Sequence, residues 1–449
     1  MSDQPTFGGA PRLDHVPGQI VLRVSDEAVR PYVEPGAGMR VDVARRLPET
    51  VTEPLDYLRR EAGARAVRPL FVPKRIRARI RRASTRGGRA LPTRERQRMA
   101  VVASVTESES EELAGLTLVE VPQKEVSPEL LRKVSRSPAI EFAEPMPARW
   151  LTRAQTSEPT ANRQWGLRAI HWYQADVPGA EDVTVAVLDT GIDAAHPDLR
   201  SLDITYRYEG LSSRDIVGHG THVSGIISAT TNNDVGINGV TRCKLAVFKV
   251  FPDEPAADGE YYVDGARYLR ALNSVIDCGA KVLNLSLGGS VRSDAEQLLF
   301  NRLERFGVTV VAAMGNEYNV GNAKEYPAGY DNVFAVGATA ETDLRSAFSN
   351  TGRHIQLVAP GSNILSTLPT TRSAYRGDAV DYAAWSGTSM ATPHVAAAAA
   401  LLAARHRDWA PDDIKQQLIE TARKLPDMRS KRFTQAYGNG LLDLERALS

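Results

Sequence analysis

The feature that most constrains the fold is a long run of small apolar residues directly after a segment that carries a serine. Residues 386–394 read Ser-Gly-Thr-Ser-Met-Ala-Thr-Pro-His, and every residue from 395 to 404 is alanine, valine or leucine. A helix without a polar face is buried on every side. The chain must therefore form a core that surrounds this helix, with Ser389 at the helix mouth.

The surroundings of Ser389 suit a nucleophile. Gly387 and Thr388 are small, so substrate and backbone can approach the serine closely. Free N–H groups and the positive end of the helix dipole favour an oxyanion there. We expect Pro393 in the first helical turn, where its missing N–H costs nothing. For this stretch alone, a serine that only caps a buried helix is an equally open interpretation.

A nucleophilic serine needs a base. His219 and His222 open a second helix of small residues, which runs to about residue 229. On the residues alone, either imidazole is a candidate base.

Two polar residues follow apolar runs that are typical of buried parallel strands. Asp189 ends the run 183–188, and Asn316 follows the run 308–315. Functional groups of open parallel sheets collect at the carboxyl ends of strands. Asp189 is therefore a candidate for orienting the imidazole, and the Asn316 amide is a candidate donor to an oxyanion.

Five short motifs, taken in chain order, resemble those of the subtilisin-like serine proteases. They are Asp189-Thr190-Gly191, His219-Gly220-Thr221-His222, Ser286-Leu287-Gly288-Gly289, Ala313-Met314-Gly315-Asn316 and Gly387-Thr388-Ser389-Met390-Ala391. The resemblance implies a serine endopeptidase that works through an acyl-enzyme, with a triad of Asp189, His219 and Ser389. It also implies that Asn316 belongs to the oxyanion hole and that His222 is structural.

The resemblance further implies where a substrate binds. An extended peptide would lie beside Ser286, Leu287 and Gly288, held by main-chain hydrogen bonds. Ala313 and Gly315 would belong to the facing wall of the first pocket. Protein or peptide substrates are therefore the expected partners.

Glu325 departs from the resembled pattern. It precedes Tyr326-Pro327-Ala328, where the family often has a small residue at the pocket floor. A carboxylate in a partly desolvated pocket favours arginine or lysine, so we hypothesise cleavage after basic residues. Arg149, Arg153 and Arg163 then become candidate self-processing points. A Glu325 side chain turned to solvent is the open alternative.

A calcium site is implied by the same resemblance. Asp198 and the loop at 231–237 match positions where the family binds calcium, a cation that prefers oxygen ligands. The implied ligands are Asp198, Thr231, Asn233, Val235 and Ile237. An ordinary turn explains the loop equally well. No organic cofactor is expected.

The length of 449 residues favours two or three domains. We predict a disordered lead-in at 1–16, a small α+β domain at 17–145, a linker at 146–164 and a doubly wound, mostly parallel α/β domain at 165–449. The first domain shows strands at 17–24, 116–122 and 140–145 and helices at 54–62 and 127–134. It resembles the inhibitory prodomain of the same family, which implies a self-inhibited precursor whose N-terminal domain is an intramolecular inhibitor.

A basic insertion at about 74–108 interrupts the first domain. Residues 74–98 are dense in arginine, with Glu95 as their acid. Like charges this closely spaced predict a mobile surface segment. Nucleic-acid binding is a more specific interpretation, but the segment lacks interleaved aromatic residues for base stacking. Proteolytic nicking is a third interpretation.

Composition limits the classes of protein to which the chain can belong. A net charge of +1 gives no overall attraction to nucleic acid or membranes, and two cysteines, Cys243 and Cys278, cannot form a disulfide framework. Neither a signal peptide nor a membrane-spanning run is recognisable, so we expect a cytoplasmic protein. The alternatives from other classes are a catalytically silent, peptide-binding or regulatory pseudoprotease and a nucleic-acid-associated protein. The filled catalytic positions favour the enzyme.

Overall fold

The structure is a computed structural model of the chain. It describes residues 13–25, 49–71, 113–122, 126–151 and 164–449, without 176, 178, 232 and 372–379, together with 29, 85–86, 89–90 and 155–156. The predicted lead-in up to residue 12, nearly all of the basic insertion and most of the predicted linker lie outside the described residues.

The chain divides into two compact units. One comprises Leu13–Ala148 and Ser293–Leu299, and the other contains Arg149–Arg292 and Phe300–Ser449. The division after Ala148 falls inside the segment predicted to be the linker.

The strands follow one another along the chain as listed here. They are β1 (His15–Val24), β2 (Ala66–Pro69), β3 (Thr85–Arg86), β4 (Arg89–Ala90), β5 (Leu116–Glu120), β6 (Ile140–Pro147), β7 (Trp150–Leu151), β8 (Gln155–Thr156), β9 (Ala180–Asp189), β10 (Ile204–Arg207), β11 (Cys243–Lys249), β12 (Val282–Leu285), β13 (Leu287–Gly288), β14 (Thr309–Ala313), β15 (Phe334–Thr339), β16 (Ile355–Pro360), β17 (Ile364–Thr367) and β18 (Tyr382–Ser386).

The α-helices are fewer and mostly longer. They are α1 (Glu49–Glu61), α2 (Pro128–Val134), α3 (Trp165–Ala169), α4 (His219–Ser228), α5 (Gly265–Asp277), α6 (Asp294–Arg305), α7 (Thr388–Arg405), α8 (Pro411–Thr421) and α9 (Leu444–Ala447), with 3₁₀ turns at Tyr318–Val320 and Pro426–Met428.

The smaller unit contains a four-stranded antiparallel sheet in the order β2-β5-β1-β6. Alternate residues of β1, such as Ile20 and Leu22, meet Leu55 and Leu58 of α1 in one buried cluster. The sequence prediction missed the short strand β2. It also began the helix at Pro54, whereas α1 begins at Glu49.

The interior position of Pro54 has a physical explanation. Proline has no N–H, so it leaves the carbonyl of Thr50, four residues earlier, without its helical partner. The hydroxyl of Ser137 donates to that carbonyl. A donor 87 residues away in sequence therefore makes the longer helix tolerable.

The larger unit is built on a seven-stranded sheet in the order β10-β11-β9-β12-β14-β15-β16. Every neighbouring pair in it is parallel. Helix α7 lies in the core, and its residues Ala396–Ala400 have at most 1% exposure. The predicted doubly wound, mostly parallel α/β architecture is confirmed.

The prediction for Pro393 was wrong. The helix begins at Thr388, so the proline lies beyond the first turn and deprives the Ser389 carbonyl of its helical partner. The Ser286 hydroxyl donates to that carbonyl at 2.9 Å. As with Pro54, a distant hydroxyl replaces the missing backbone donor.

Among the described residues, none of the helices combines the length and the apolar character that crossing a bilayer requires.

Candidate active site

The acid and the imidazole meet where a strand end faces a helix start. Asp189 is the last residue of β9, and His219 is the first of α4. The Nδ1 atom of His219 lies 2.8 Å from Oδ1 and 3.0 Å from Oδ2 of Asp189. The carboxylate holds the proton on Nδ1, which leaves Nε2 as the basic nitrogen. This Nε2 is buried and has no hydrogen-bond partner within the described part of the chain.

A second carboxylate holds this geometry. Asp215 Oδ2 accepts the N–H and the hydroxyl of Thr221 at 2.9 and 2.6 Å, and Oδ1 accepts the Gly218 N–H and the Thr190 hydroxyl, both at 2.8 Å. The Thr190 oxygen accepts the N–H of Gly220 at 2.9 Å. The residue after Asp189 is thus bonded to the residue after His219. The sequence reasoning missed Asp215, although an acid shortly before a helix start was the available signal.

Gly220 permits the close approach of helix and strand. A Cβ atom at this position would lie 2.1 Å from the carbonyl oxygen of Gly191. Any other residue would push α4 away from the end of β9. The glycine next to the histidine is therefore required by the distance between Asp189 and His219.

Ser389 is buried at the start of α7 and is tied to the β12–β13 segment. Its hydroxyl donates to the Ser286 carbonyl at 3.2 Å, while the Ser286 hydroxyl donates to the Ser389 carbonyl. Strand β18 leads into α7, and its Trp385 ring stacks on the His219 imidazole at a centroid distance of 6.2 Å. The serine, the imidazole and the substrate edge thus belong to one packed region.

The amide of Asn316 is oriented by Thr388. Its Oδ1 accepts the backbone N–H and the hydroxyl of Thr388, at 2.8 and 2.9 Å. Because the amide oxygen is occupied, the Nδ2 donor turns the other way, and a Cβ on Gly387 would lie 3.3 Å from it. The amide nitrogen therefore lies close to the backbone just before Ser389.

His222 and His394 have surroundings typical of structural histidines. The Nε2 of His222 lies 3.1 Å from the Ala383 carbonyl, and its ring stacks on Trp385 at 4.8 Å. Burial lowers the pKa of His222 to about 3 and that of His394 to about 4. Both imidazoles are therefore neutral in the folded chain at neutral pH.

The predicted substrate edge is paired with the chain's own backbone. In β13, Leu287 and Gly288 pair antiparallel with Leu151 and Trp150 of β7. On its other side, Trp150 forms an antiparallel bridge with Tyr262. An extended segment of this protein therefore lies where the sequence predicted an extended substrate.

Glu325 is buried, with 2% exposure, and does not turn to solvent. Its Oε1 accepts the Asn350 amide at 3.0 Å. Cβ atoms on Gly288 and Gly315 would lie 2.3 and 2.2 Å from its carboxylate oxygens. The carboxylate thus fills the space between the two glycines predicted to line the first pocket. Ala313, the buried last residue of β14, leads the chain into this wall.

The predicted calcium loop closes around Asp198. The carboxylate accepts the Asn233 amide at 2.9 Å, the Ile237 N–H at 2.9 Å and the Tyr382 hydroxyl at 3.0 Å. The Asn233 oxygen accepts the N–H of Val235 at 3.1 Å. The side chains supply the oxygen types that calcium prefers, so they fit the ion in kind. Their oxygens already accept protein donors, as in an ordinary turn.

Known proteins resemble this chain over much of its length. A sequence profile described as the subtilase family matches residues 180–440. An alkaline protease of Alkalihalobacillus alcalophilus is 36% identical over 353 residues, which is 78% of this chain and 84% of that protein. Thermitase of Thermoactinomyces vulgaris is 36% identical over 270 residues, which is 59% of this chain and 90% of that protein.

Solved structures show the same fold. Fervidolysin of Fervidobacterium pennivorans, described as a keratinolytic enzyme related to subtilisin, matches with a TM-score of 0.70 and 23% identity. The match covers 98% of this chain and 62% of that one. A psychrophilic subtilisin-like protease from an Antarctic Pseudoalteromonas matches with a TM-score of 0.55 and 20% identity, over 63% of this chain and 96% of that one.

Proposed function

The chain belongs to the subtilase family and is a serine endopeptidase, and we propose that Asp189, His219 and Ser389 are its catalytic triad. The observation that carries the assignment is the imidazole of His219, whose Nδ1 is fixed by Asp189 and whose Nε2 is left to act as a base. A base held in one tautomer is what a nucleophilic serine requires for acyl transfer.

In the proposed reaction, Ser389 Oγ attacks the carbonyl carbon of the scissile peptide, and its proton moves to His219 Nε2. The tetrahedral intermediate then expels the amine, which takes that proton, and leaves an acyl-enzyme. Water attacks the ester by the same proton route and releases the acid. Asp189 remains ionised throughout and stabilises the imidazolium.

The oxyanion would be held by the Asn316 amide and the Ser389 N–H. Thr388 keeps the amide oxygen occupied, so the donor is oriented before substrate arrives. Preorganised donors of this kind stabilise charge that develops only in the transition state.

We further propose that the enzyme cleaves after arginine or lysine. The support is the buried carboxylate of Glu325 between Gly288 and Gly315. A lysine or arginine side chain of the substrate that reaches this carboxylate would gain a charge-assisted hydrogen bond in a site shielded from water. An uncharged side chain would leave the carboxylate without that partner.

A self-inhibited precursor is supported by strand β7. Because Trp150 and Leu151 already use the bonds of Gly288 and Leu287, an external peptide cannot pair there. Residues 152–154 lie outside the described residues and connect β7 to β8, which pairs with Trp385 and Ser386 just before Ser389. We therefore propose self-cleavage between Leu151 and Gln155, which keeps Arg153 as a processing point. Arg149 is buried and is no longer proposed as one.

A structural calcium ion at the Asp198 loop is also proposed; Asp198 and Asn233 would supply it with carboxylate and amide oxygens. Binding an ion only in the folded state stabilises it by about 3 kcal/mol at a hundredfold excess over Kd. Chelator should therefore lower the thermal midpoint, and calcium should restore it. Asp198→Asn should remove the response, and an unchanged wild-type midpoint in chelator would refute the site.

The direct test of the function is hydrolysis of an unfolded protein substrate by the purified chain. Wild type and Ser201→Ala, an exposed serine outside the proposed machinery, should both cleave it. Ser389→Ala should remain folded, uncleaved and inactive. Equal activity of Ser389→Ala and wild type would remove Ser389 from the reaction.

A further inference from the structure

Arg149, next to the occupied substrate edge, has an unusual environment. Arg149 has 0% exposure, and its Nη2 donates to the Val291 carbonyl at 2.8 Å. Arginine is almost never fully buried unless its charge and donors are accommodated. The protein therefore encloses the Arg149 guanidinium in a buried cavity.

The backbone of Arg149 continues the strand that occupies the substrate edge. The Val263 N–H donates to the Arg149 carbonyl at 2.9 Å, and the next residue, Trp150, bridges Tyr262 and pairs with Gly288. Main-chain pairing of this kind is how an extended peptide adds to a sheet edge, while alternate side chains enter pockets. Arg149 thus occupies the position that a substrate side chain would take.

The charge of the neighbouring segment suits a cation. Between Val250 and Gly265 the chain carries five acids and neither lysine nor arginine; Asp253 is paired with Lys249, and the other acids are Glu254, Asp258, Glu260 and Asp264. Asp258 accepts the hydroxyl of Tyr262 at 2.7 Å, next to the bridge with Trp150. A negative segment along one side of the bound strand favours basic substrates over neutral and acidic ones.

We infer that this cavity is a second specificity pocket, which selects arginine in the substrate at the position held by Arg149. The inference rests on the proposed endopeptidase function and deepens it. The pocket is separate from the one formed by Glu325, because it lies on the amino-terminal side of the residue that pairs with Gly288. The preferred substrates are therefore peptides with two basic residues: one enters the Glu325 pocket, and an arginine lies nearer the amino end.

Quenched fluorogenic peptides test the inference without changing the protein. One carries the chain's own sequence from 147 to 157, and matched peptides carry Arg149→Gln or Arg149→Lys. Hydrogen bonds to a charged group contribute about 1.5–3 kcal/mol, so glutamine should lower kcat/KM roughly 10- to 100-fold. The kcat/KM of the lysine peptide should lie between those of the arginine and glutamine peptides, because lysine is charged but lacks the planar donor fork of arginine. Equal kcat/KM for the three peptides would overturn the pocket while leaving the endopeptidase intact.

A failure of the endopeptidase itself gives a different result, because none of the peptides would then be cleaved. Self-processing of the full chain supplies a second measurement. Arg149→Gln should slow it by a similar factor, whereas Arg136→Gln, which changes an exposed arginine, should not. Circular dichroism identifies a variant that fails to fold, and in that case the peptide series decides the question. A folded Arg149→Gln that processes at the wild-type rate would also overturn the pocket.

Discussion

At the proposed reaction centre, neighbouring residues of the enzyme hold each functional side chain. In the proposed substrate cleft, by contrast, a strand of the same chain occupies the edge where a substrate would pair. Thr388 orients Asn316, and Asp189 orients His219. Across the cleft, Leu287 and Gly288 pair with β7. The proposed reaction centre is therefore held by the enzyme's own side chains, while the proposed cleft is occupied by a strand of the chain. Changes in the first should slow every substrate alike, and changes in the second should alter which substrate is preferred.

The largest effect on the reaction centre is expected from Asp189→Asn. The amide favours the wrong tautomer of His219, and the same change in a serine protease triad lowers kcat by about 10⁴. Steady-state kinetics with a basic and an apolar peptide should show the same factor for both. A loss confined to one peptide would mean that Asp189 affects substrate selectivity. It would contradict the distinction between the proposed reaction centre and the proposed substrate cleft.

Asn316→Ala should produce the next largest loss. Removing one oxyanion donor lowers turnover by about 10²–10³, a magnitude measured in subtilisin, a relative of this chain. KM and the thermal midpoint should change little, because the amide donor acts mainly in the transition state. Full activity in this variant would exclude Asn316 from the site.

Glu325→Gln tests the role of the proposed substrate cleft in selectivity. The change keeps the size of the side chain and removes its charge, so kcat/KM for peptides with arginine before the scissile bond should fall about 10- to 100-fold. Peptides with a large apolar residue at that position should be cleaved as before or faster. An equal loss for both peptides would place Glu325 in the reaction centre instead.

The smallest predicted effect concerns stability in acid. Because the pKa values of His222 and His394 are lower in the folded chain, the unfolded chain takes up protons first as pH falls below about 6.5. Stability is complete above that pH and falls by about 1.4 kcal/mol per histidine and pH unit until the folded pKa values are approached.

Thermal midpoints at roughly pH 7.5, 6 and 5 measure this loss. The midpoint of His222→Gln should depend less on pH than that of the wild type. Identical pH dependence in the two proteins would refute a neutral, buried His222.

The sequence predicted the parts of the fold that depend on neighbouring residues. Asp189 at a strand end and Ser389 at a helix start are local patterns, and the structure has both residues at those places. The helix positions of Pro54 and Pro393 depended instead on hydroxyls of Ser137 and Ser286, more than 80 residues away. Propensity alone cannot anticipate such distant donors.

The cleft was harder to predict for the same reason. Whether Glu325 faces solvent depends on its approach to Gly288 and Gly315, which local sequence does not specify. Arg149 was predicted to be a processing point, yet its carbonyl and guanidinium both have partners more than 100 residues away. The proposed specificity thus depends on contacts between distant segments, while the proposed reaction centre follows from short motifs.

The most direct test of the triad is covalent labelling with a fluorophosphonate, followed by peptide mass spectrometry. We predict that processed wild type is labelled on Ser389, and that His219→Ala and Asp189→Asn are labelled far more slowly although they remain folded. Labelling of another residue, or equal labelling rates in the three proteins, would contradict a serine activated by this imidazole and carboxylate.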